Sequence, residues 1–169
     1  MLIRQETPAD RVAVEALVRA AFATAACSDG QEHALVARLR QSTAFIPELS
    51  LVAEQNGELA GYALFTKARV GVRTVLALAP LAVLPAYQKQ GIGTALLRAG
   101  HRAAQALGYE YVLVLGSEHY YPRFGYRPAA ACGVEVPAGF PPANFMVLRL
   151  REDAAPLQGA VTYAEEFSL

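Results

Sequence analysis

Leu81-Ala82-Val83-Leu84-Pro85-Ala86-Tyr87-Gln88-Lys89-Gln90-Gly91-Ile92-Gly93-Thr94-Ala95 is the stretch on which the reading of this chain turns. An apolar run stops at Pro85, a polar turn with two glycines follows, and helical spacing begins. In residues 91–107, Ile92, Ala95, Leu96, Ala99, Ala103 and Ala106 fall on one side of a helix. Thr94, Arg98, His101, Arg102 and Gln105 fall largely opposite, and Gly108 is a natural residue to end it. Strand, glycine turn and helix together aim several backbone N–H groups and the positive end of a helix dipole at one spot. Glycine lets backbone approach a phosphate with no Cβ in the way. This segment is therefore expected to bind a phosphorylated ligand.

Working outward, residues 2–6 read as a strand. Thr7 caps a helix with Pro8 at its first position and Asp10 at its positive end. Val14, Leu17, Val18, Ala21 and Phe22 carry that helix to about residue 23. A second helix is expected to start at Asp29, with Glu32 closing a capping box. Strands 50–55 and 58–67 flank Asn56-Gly57, a strong hairpin signal because both turn residues must accept positive φ. A second hairpin near Gly71 leads into strand 74–83. Beyond the central helix, residues 111–115 form a continuous apolar run, the pattern of a parallel strand covered on both faces. A short helix at 118–124 and strands near Tyr126 and at 144–151 complete the order. Residues 137–142 are a proline-rich loop, and the polar tail 157–169 is not placed.

Composition excludes several classes of function. The chain has 169 residues, one domain's worth, with 15 Lys plus Arg against 15 Asp plus Glu. A net charge of zero gives no electrostatic reason to bind nucleic acid or an anionic membrane. Hydrophobic residues at 54% and charged ones at 18% exclude a disordered chain. Mean hydropathy of +0.24 raises the question of a membrane span. The uncharged stretch 75–87 is interrupted by Pro80 and Pro85 and falls short of the roughly 18 apolar residues a span needs. Residues 136–148 hold Pro137, Pro141 and Pro142. The first residues carry no basic and apolar leader pattern. Cys27 and Cys132 form neither a disulfide framework nor a metal motif, and both read as small buried hydrophobes. The expectation is a cytoplasmic protein without metal.

Three phosphate-binding patterns compete for the glycine turn. A P-loop needs GxxxxGK[ST], which is absent. A dinucleotide fingerprint fails because Leu96 stands at the third glycine, and Glu110 opens the next strand instead of closing it. The pattern Q/R-x-x-G-x-G/A is met in full by Gln88, Gly91 and Gly93. It resembles the acyl-CoA pyrophosphate signature of the GNAT N-acetyltransferase superfamily. The segment Val114-Leu115-Gly116-Ser117-Glu118-His119-Tyr120-Tyr121-Pro122-Arg123-Phe124-Gly125-Tyr126 is similar to that superfamily's second signature, in the wording of its YhbS-like bacterial subgroup. The order of elements matches over nearly the whole chain. The resemblance implies an α/β fold, a central mixed β-sheet flanked by helices, forming a single N-acetyltransferase domain over residues 1–169.

It also implies roles, residue by residue. The backbone of Leu81, Ala82 and Val83 would splay from the neighbouring parallel strand and pair with the pantetheine arm. One of its N–H groups would hold the thioester oxygen and stabilise an oxyanion. Lys89, Gln90, Gly91, Ile92, Gly93 and Thr94 would wrap the pyrophosphate after Gln88, and Gly116 and Ser117 would touch the pantetheine. Tyr121, four residues before Gly125, stands where the family has its general acid. A tyrosine near 10 protonating a thiolate near 8.5 works uphill by roughly 2 kcal/mol, so Tyr121 reads as a hydrogen-bond donor to the departing sulfur, with full transfer optional. The alternative is a core tyrosine stacked on Phe124. Tyr120 is expected to be the core residue of the pair. Arg123 is either a surface residue or a CoA phosphate ligand.

The acceptor amine must lose a proton, yet residues 75–86 hold no carboxylate. The base is then Glu32, His33, Glu54, Glu118, His119 or solvent. The resulting expectation is acetyl transfer from acetyl-CoA to a primary amine by direct attack, since neither cysteine lies in a signature. The amine would belong to a small molecule or a protein, and the enzyme would be a monomer or homodimer. The alternatives are a non-catalytic acyl-CoA-binding module and a nucleotide-dependent oxidoreductase.

Overall fold

A computed structural model describes all residues, Met1–Leu169. In chain order its elements are β1 (Leu2–Gln5), α1 (Arg11–Phe22), α2 (Glu32–Leu39), β2 (Ser50–Gln55), β3 (Glu58–Val70), β4 (Arg73–Val83), α3 (Ile92–Ala106), β5 (Tyr111–Leu115), β6 (Arg127–Pro128), β7 (Val134–Glu135), β8 (Phe145–Arg149) and β9 (Gly159–Thr162). Hydrogen bonding orders the strands β1-β2-β3-β4-β5-β8-β6, with β9 pairing β3 and β7. The sheet is mixed: β4 and β5 run parallel, whereas β5 and β8 run antiparallel. No helix is long and apolar enough to cross a membrane.

Packing divides the chain into two compact units, Met1–Phe65 with Ala79–Ala103, and Thr66–Leu78 with Ala104–Leu169. In the first, the β2–β3 hairpin turns at Asn56 (φ 53°) and Gly57 (φ 78°), the double positive φ of a tight hairpin. Side chains alternate across β3. Gly61 and Phe65 face α3, while Tyr62 points to the opposite face, where its hydroxyl meets Ser50 Oγ at 2.7 Å. On that face Arg40, just beyond α2, reaches Glu6 at 2.5 Å and Glu15 at 2.8 Å. Ser50 Oγ also donates to Glu6 Oε2 at 2.6 Å. Arg40 and Glu6 are only 3% and 4% exposed, so β1, α2, β2 and β3 share one buried polar knot. At the start of α1, Asp10 accepts from the Thr7 amide and takes a two-pronged ion pair from Arg4.

The second unit has its own apolar core, which includes Tyr111, Leu113, Val134, Phe145, Val147 and Leu157. Its tail is structured. β9 adds to the outer part of β3 at Arg69 and Val70 and runs parallel to β7.

Several expectations are corrected. No capping box forms at Asp29: α2 begins at Glu32, whose carboxylate is held by Ser28 Oγ at 2.6 and 2.8 Å, while Asp29 only closes a turn onto the Gln31 amide. Cys27 is exposed because it lies in the irregular α1–α2 connection, not on a helix face. His101, read as part of a solvated face, is packed edge-on against Phe65 at 6.0 Å, and Ala106, read as apolar-facing, is exposed. The short helix after β5 is a 3-10 turn restricted to Tyr121–Phe124, with Pro122 in its first turn.

Candidate active site

The glycine turn belongs to the first unit. Leu81 and Val83 at the end of β4 are half-buried and Ala82 is buried, while Gln88, Lys89, Gln90 and Gly91 are exposed. Lys89 (φ 60°) and Gly91 (φ 85°) are both left-handed, so the chain curls sharply before α3 starts at Ile92. The turn is braced from inside: Gln88 Nε2 donates to Val83 O at 3.1 Å, and Gln90 Nε2 to Ala86 O at 3.2 Å. The first helical bond is Ala95 N–H to Gly91 O at 3.0 Å, which leaves the first amides of α3 without helical acceptors. Gly93 and Thr94 are half-buried in that first turn.

Two other glycines seat this helix against β3. A Cβ on Gly61 would stand 2.8 Å from Ile92 Cγ2 and 2.9 Å from Leu96 Cδ1. A Cβ on Gly100 would stand 2.3 Å from Phe65 Cε2. Gly61 was legible in principle, because a lone glycine inside a strand marks a close approach. Burial beside Phe65 also pushes the His101 imidazole down to about 4, so it is neutral at pH 7.

In the second unit the β4–β5 ladder comprises Leu76–Val112 and Ala77–Leu113, and it ends two residues short of the end of β5. β4 continues to Val83 through Pro80, which has no N–H to donate. Gly116 follows β5 and is clamped twice by Asn144. Its N–H donates to Asn144 O at 2.9 Å, and Asn144 Nδ2 donates to Gly116 O at 3.0 Å. Asn144 Nδ2 also reaches Glu118 Oε2 at 2.5 Å. Nothing in the sequence marked Asn144 for this work. The Ser117 carbonyl accepts from the Tyr120 and Tyr121 amides, each at 3.2 Å.

The two tyrosines differ from expectation. Both are half-buried, in different surroundings: the Tyr121 ring lies on Gly116, where a Cβ would be 2.4 Å from Tyr121 Cε2, and its edge meets Tyr126 at 5.5 Å. Tyr120, not Tyr121, contacts Phe124, at 5.3 Å, and Arg123 lies over the Tyr120 ring at 4.6 Å. Burial holds the Tyr121 hydroxyl well above the ordinary tyrosine range, and the hydroxyl has no hydrogen-bond partner in the protein. It is a free, fully protonated donor on a fixed ring.

The five side chains named as possible bases fare differently. Glu54 is ion-paired with Arg4 at 2.6 Å, and Glu32 is held by Ser28. Glu118 is kept below the ordinary carboxylate value by its own backbone N–H and by Asn144. His119 is 87% exposed, and His33 is half-buried on α2.

The model of the acetyltransferase (GNAT) family matches residues 14–126, both signatures included. The chain belongs to the GNAT family. Among GNAT relatives, the uncharacterized N-acetyltransferase YhbS of Escherichia coli is 34% identical over 172 residues, covering 99% of each chain. The crystal structure of YhbS in complex with CoA superposes with a TM-score of 0.89 at 33% identity, over 99% of this chain and 92% of that one. A GNAT family acetyltransferase from Brucella melitensis in complex with acetyl-CoA gives a TM-score of 0.82 at 32% identity, over 98% and 97%. YjhQ of Escherichia coli, another uncharacterized N-acetyltransferase, is 40% identical over 111 residues. That match spans 63% of this chain and 61% of YjhQ. The expected mixed sheet flanked by helices and the expected N-acetyltransferase class are therefore met.

Proposed function

We propose that the chain is one acetyltransferase domain that moves an acetyl group from acetyl-CoA to a primary amine by direct attack. The observation that carries this reading is the curled turn at Lys89–Gly91, with unpartnered amides at the head of a long helix. The residues present fit the cosubstrate. No atom lies within 4 Å of where a Cβ on Gly91 would be, so the backbone there is open to a phosphate. The amides of Lys89, Gln90, Gly91, Ile92, Gly93 and Thr94 would hold the pyrophosphate, with Gln88 bracing the turn. Leu81, Ala82 and Val83 would offer strand backbone to the pantetheine, and Gly116 and Ser117 would touch it. Acetyl-CoA supplies the activated acetyl group.

Tyr121 donates its hydroxyl hydrogen to the leaving sulfur. Its raised pKa makes full proton transfer harder and hydrogen bonding dependable, because the phenol stays protonated throughout the working range. β4 carries no carboxylate, so the amine loses its proton to bulk water.

Calorimetric titration with acetyl-CoA, followed by turnover with a panel of amines across pH, tests the reading. We expect binding, and kcat/KM that climbs past pH 7 with the amine's own ionisation near 9 to 10, without an alkaline fall from Tyr121 below about pH 10. No acetyl-CoA binding would overturn the reading. A plateau near pH 6.5 removed by Glu32→Gln or His33→Gln would replace solvent with a protein base.

A further inference from the structure

We propose that the second unit carries a separate site for a small organic anion with an apolar body, such as a monocarboxylate, in a cavity at the Tyr111 end of β5. Strand register puts the site's walls together. Tyr111 pairs with Arg149, and Arg127 pairs with Val147, two residues along β8 from Arg149, so the four project from one face of the sheet. Elsewhere on that face the chain after β6 packs down to form the core. Here it leaves a half-open cavity of about 380 Å³, within the range of small-molecule sites. Gly116 and Tyr121 lie beyond the other end of β5, about 13 Å along a strand that rises ~3.3 Å per residue.

Two features give the cavity its chemistry. Arg127 and Arg149 both line it and no acidic residue does. Arg149 is pinned in place, donating to the carbonyl oxygens of Arg151 (2.9 Å), Glu152 and Ala154 (3.0 Å). Arg127 is exposed and makes no ion pair, in contrast to Arg4, Arg40, Arg73 and Arg151. Asp153, the acid that feels the charge of Arg149, is ion-paired with Arg151. In a chain of zero net charge this is a local positive excess, presented by a guanidinium whose fork matches a carboxylate. The remaining walls include Val147, Leu157, Pro156 and the Tyr111 ring. Gly133 makes the Leu157 wall possible, because a Cβ there would stand 2.2 Å from Leu157 O. An apolar recess beside a free guanidinium selects an amphiphilic anion over both a neutral apolar compound and a bare inorganic ion.

Cys132 also lines the cavity, and exposed Cys27 lies in the other unit, so the protein holds its own reporter and control. The full chain is alkylated with iodoacetamide in the presence of benzoate or of benzyl alcohol, and each cysteine is followed by mass spectrometry. Benzoate at ten times its Kd is expected to slow Cys132 about tenfold and leave Cys27 unchanged. Benzyl alcohol is expected to protect neither, and Arg127→Gln to abolish the benzoate effect. Backbone amide shifts at Gly125 and Gly133 give a second readout that does not depend on thiol reactivity. Equal protection by both compounds, protection that survives Arg127→Gln, or no amide shift with benzoate would each overturn the proposal. None of these readouts involves acetyl transfer.

Discussion

The turn at residues 88–94 and the segment at 116–126 carry the two parts of the proposed chemistry, and they are built on opposite principles. In the first, side chains act mainly as braces. Gln88 and Gln90 tie the turn to carbonyls, and the working groups are backbone amides freed by Lys89 and Gly91 at positive φ. In the second, the backbone is what is braced. Asn144 clamps Gly116 on both sides, the Ser117 carbonyl collects two amides, and the working group is one side-chain hydroxyl. A site made of backbone tolerates many side chains but few changes of conformation. A site made of one hydroxyl tolerates the loss of nothing else.

The contrast breaks most visibly at Gly91. Acetyl-CoA at a hundredfold excess over Kd is expected to stabilise the wild type by about 2.7 kcal/mol. Gly91→Asp should erase that thermal shift, since its carboxylate would project into the open space left for the pyrophosphate. Gly91→Ala should keep part of it, the φ of 85° alone costing about 1 kcal/mol. An unchanged shift in Gly91→Asp would show that the turn does not hold the cosubstrate.

Next comes the hydroxyl. Tyr121→Phe keeps the ring on Gly116 and is expected to lower kcat about 10- to 1000-fold with acetyl-CoA affinity unchanged, the mark of an interaction made in the transition state. Tyr120→Phe, whose ring contacts Phe124 and Arg123, should be nearly silent. Equal rates for wild type and Tyr121→Phe would remove the hydroxyl from the mechanism.

The smallest effect concerns the seat of α3. The folded His101 pKa of about 4 lies below its ordinary value of 6.5, so the unfolded chain binds the extra proton between those values. Stability is present above pH 6.5 and is lost as pH falls toward 4, by about 2 kcal/mol between pH 7.5 and pH 5. Urea melts at the two pH values should show this loss in the wild type and a smaller one in His101→Gln. An equal loss in both would mean the imidazole is not buried neutral.

Legibility in the sequence followed the same divide. The glycine turn, the Asn56-Gly57 hairpin, β2 and β5 stand where spacing put them, because local backbone requirements leave local residue signatures. Pairwise packing leaves none. That Tyr121, and not Tyr120, lays its ring on the end of β5 depends on Gly116, which has no Cβ to fend it off. That Ser28 and not Asp29 holds Glu32 depends on where an irregular connection happens to turn. β9 was invisible because a four-residue strand in a polar tail owes its existence to the free flank of β3 and to β7, not to its own pattern.

The buried knot around Arg40 has a consequence for how the chain finds its register. A one-residue slip of β1 against β2 would turn its side chains to the other face, and the Glu6 carboxylate would leave Arg40. The enclosed guanidinium would keep only the half-exposed Glu15 and lose its buried partner, a loss approaching the roughly 3–5 kcal/mol of a broken buried pair. In the correct alignment the same pair contributes little, since both ions have already left water. The charge therefore acts as proofreading: it does little to reward the right alignment of the first sixty residues and strongly rejects their near misses.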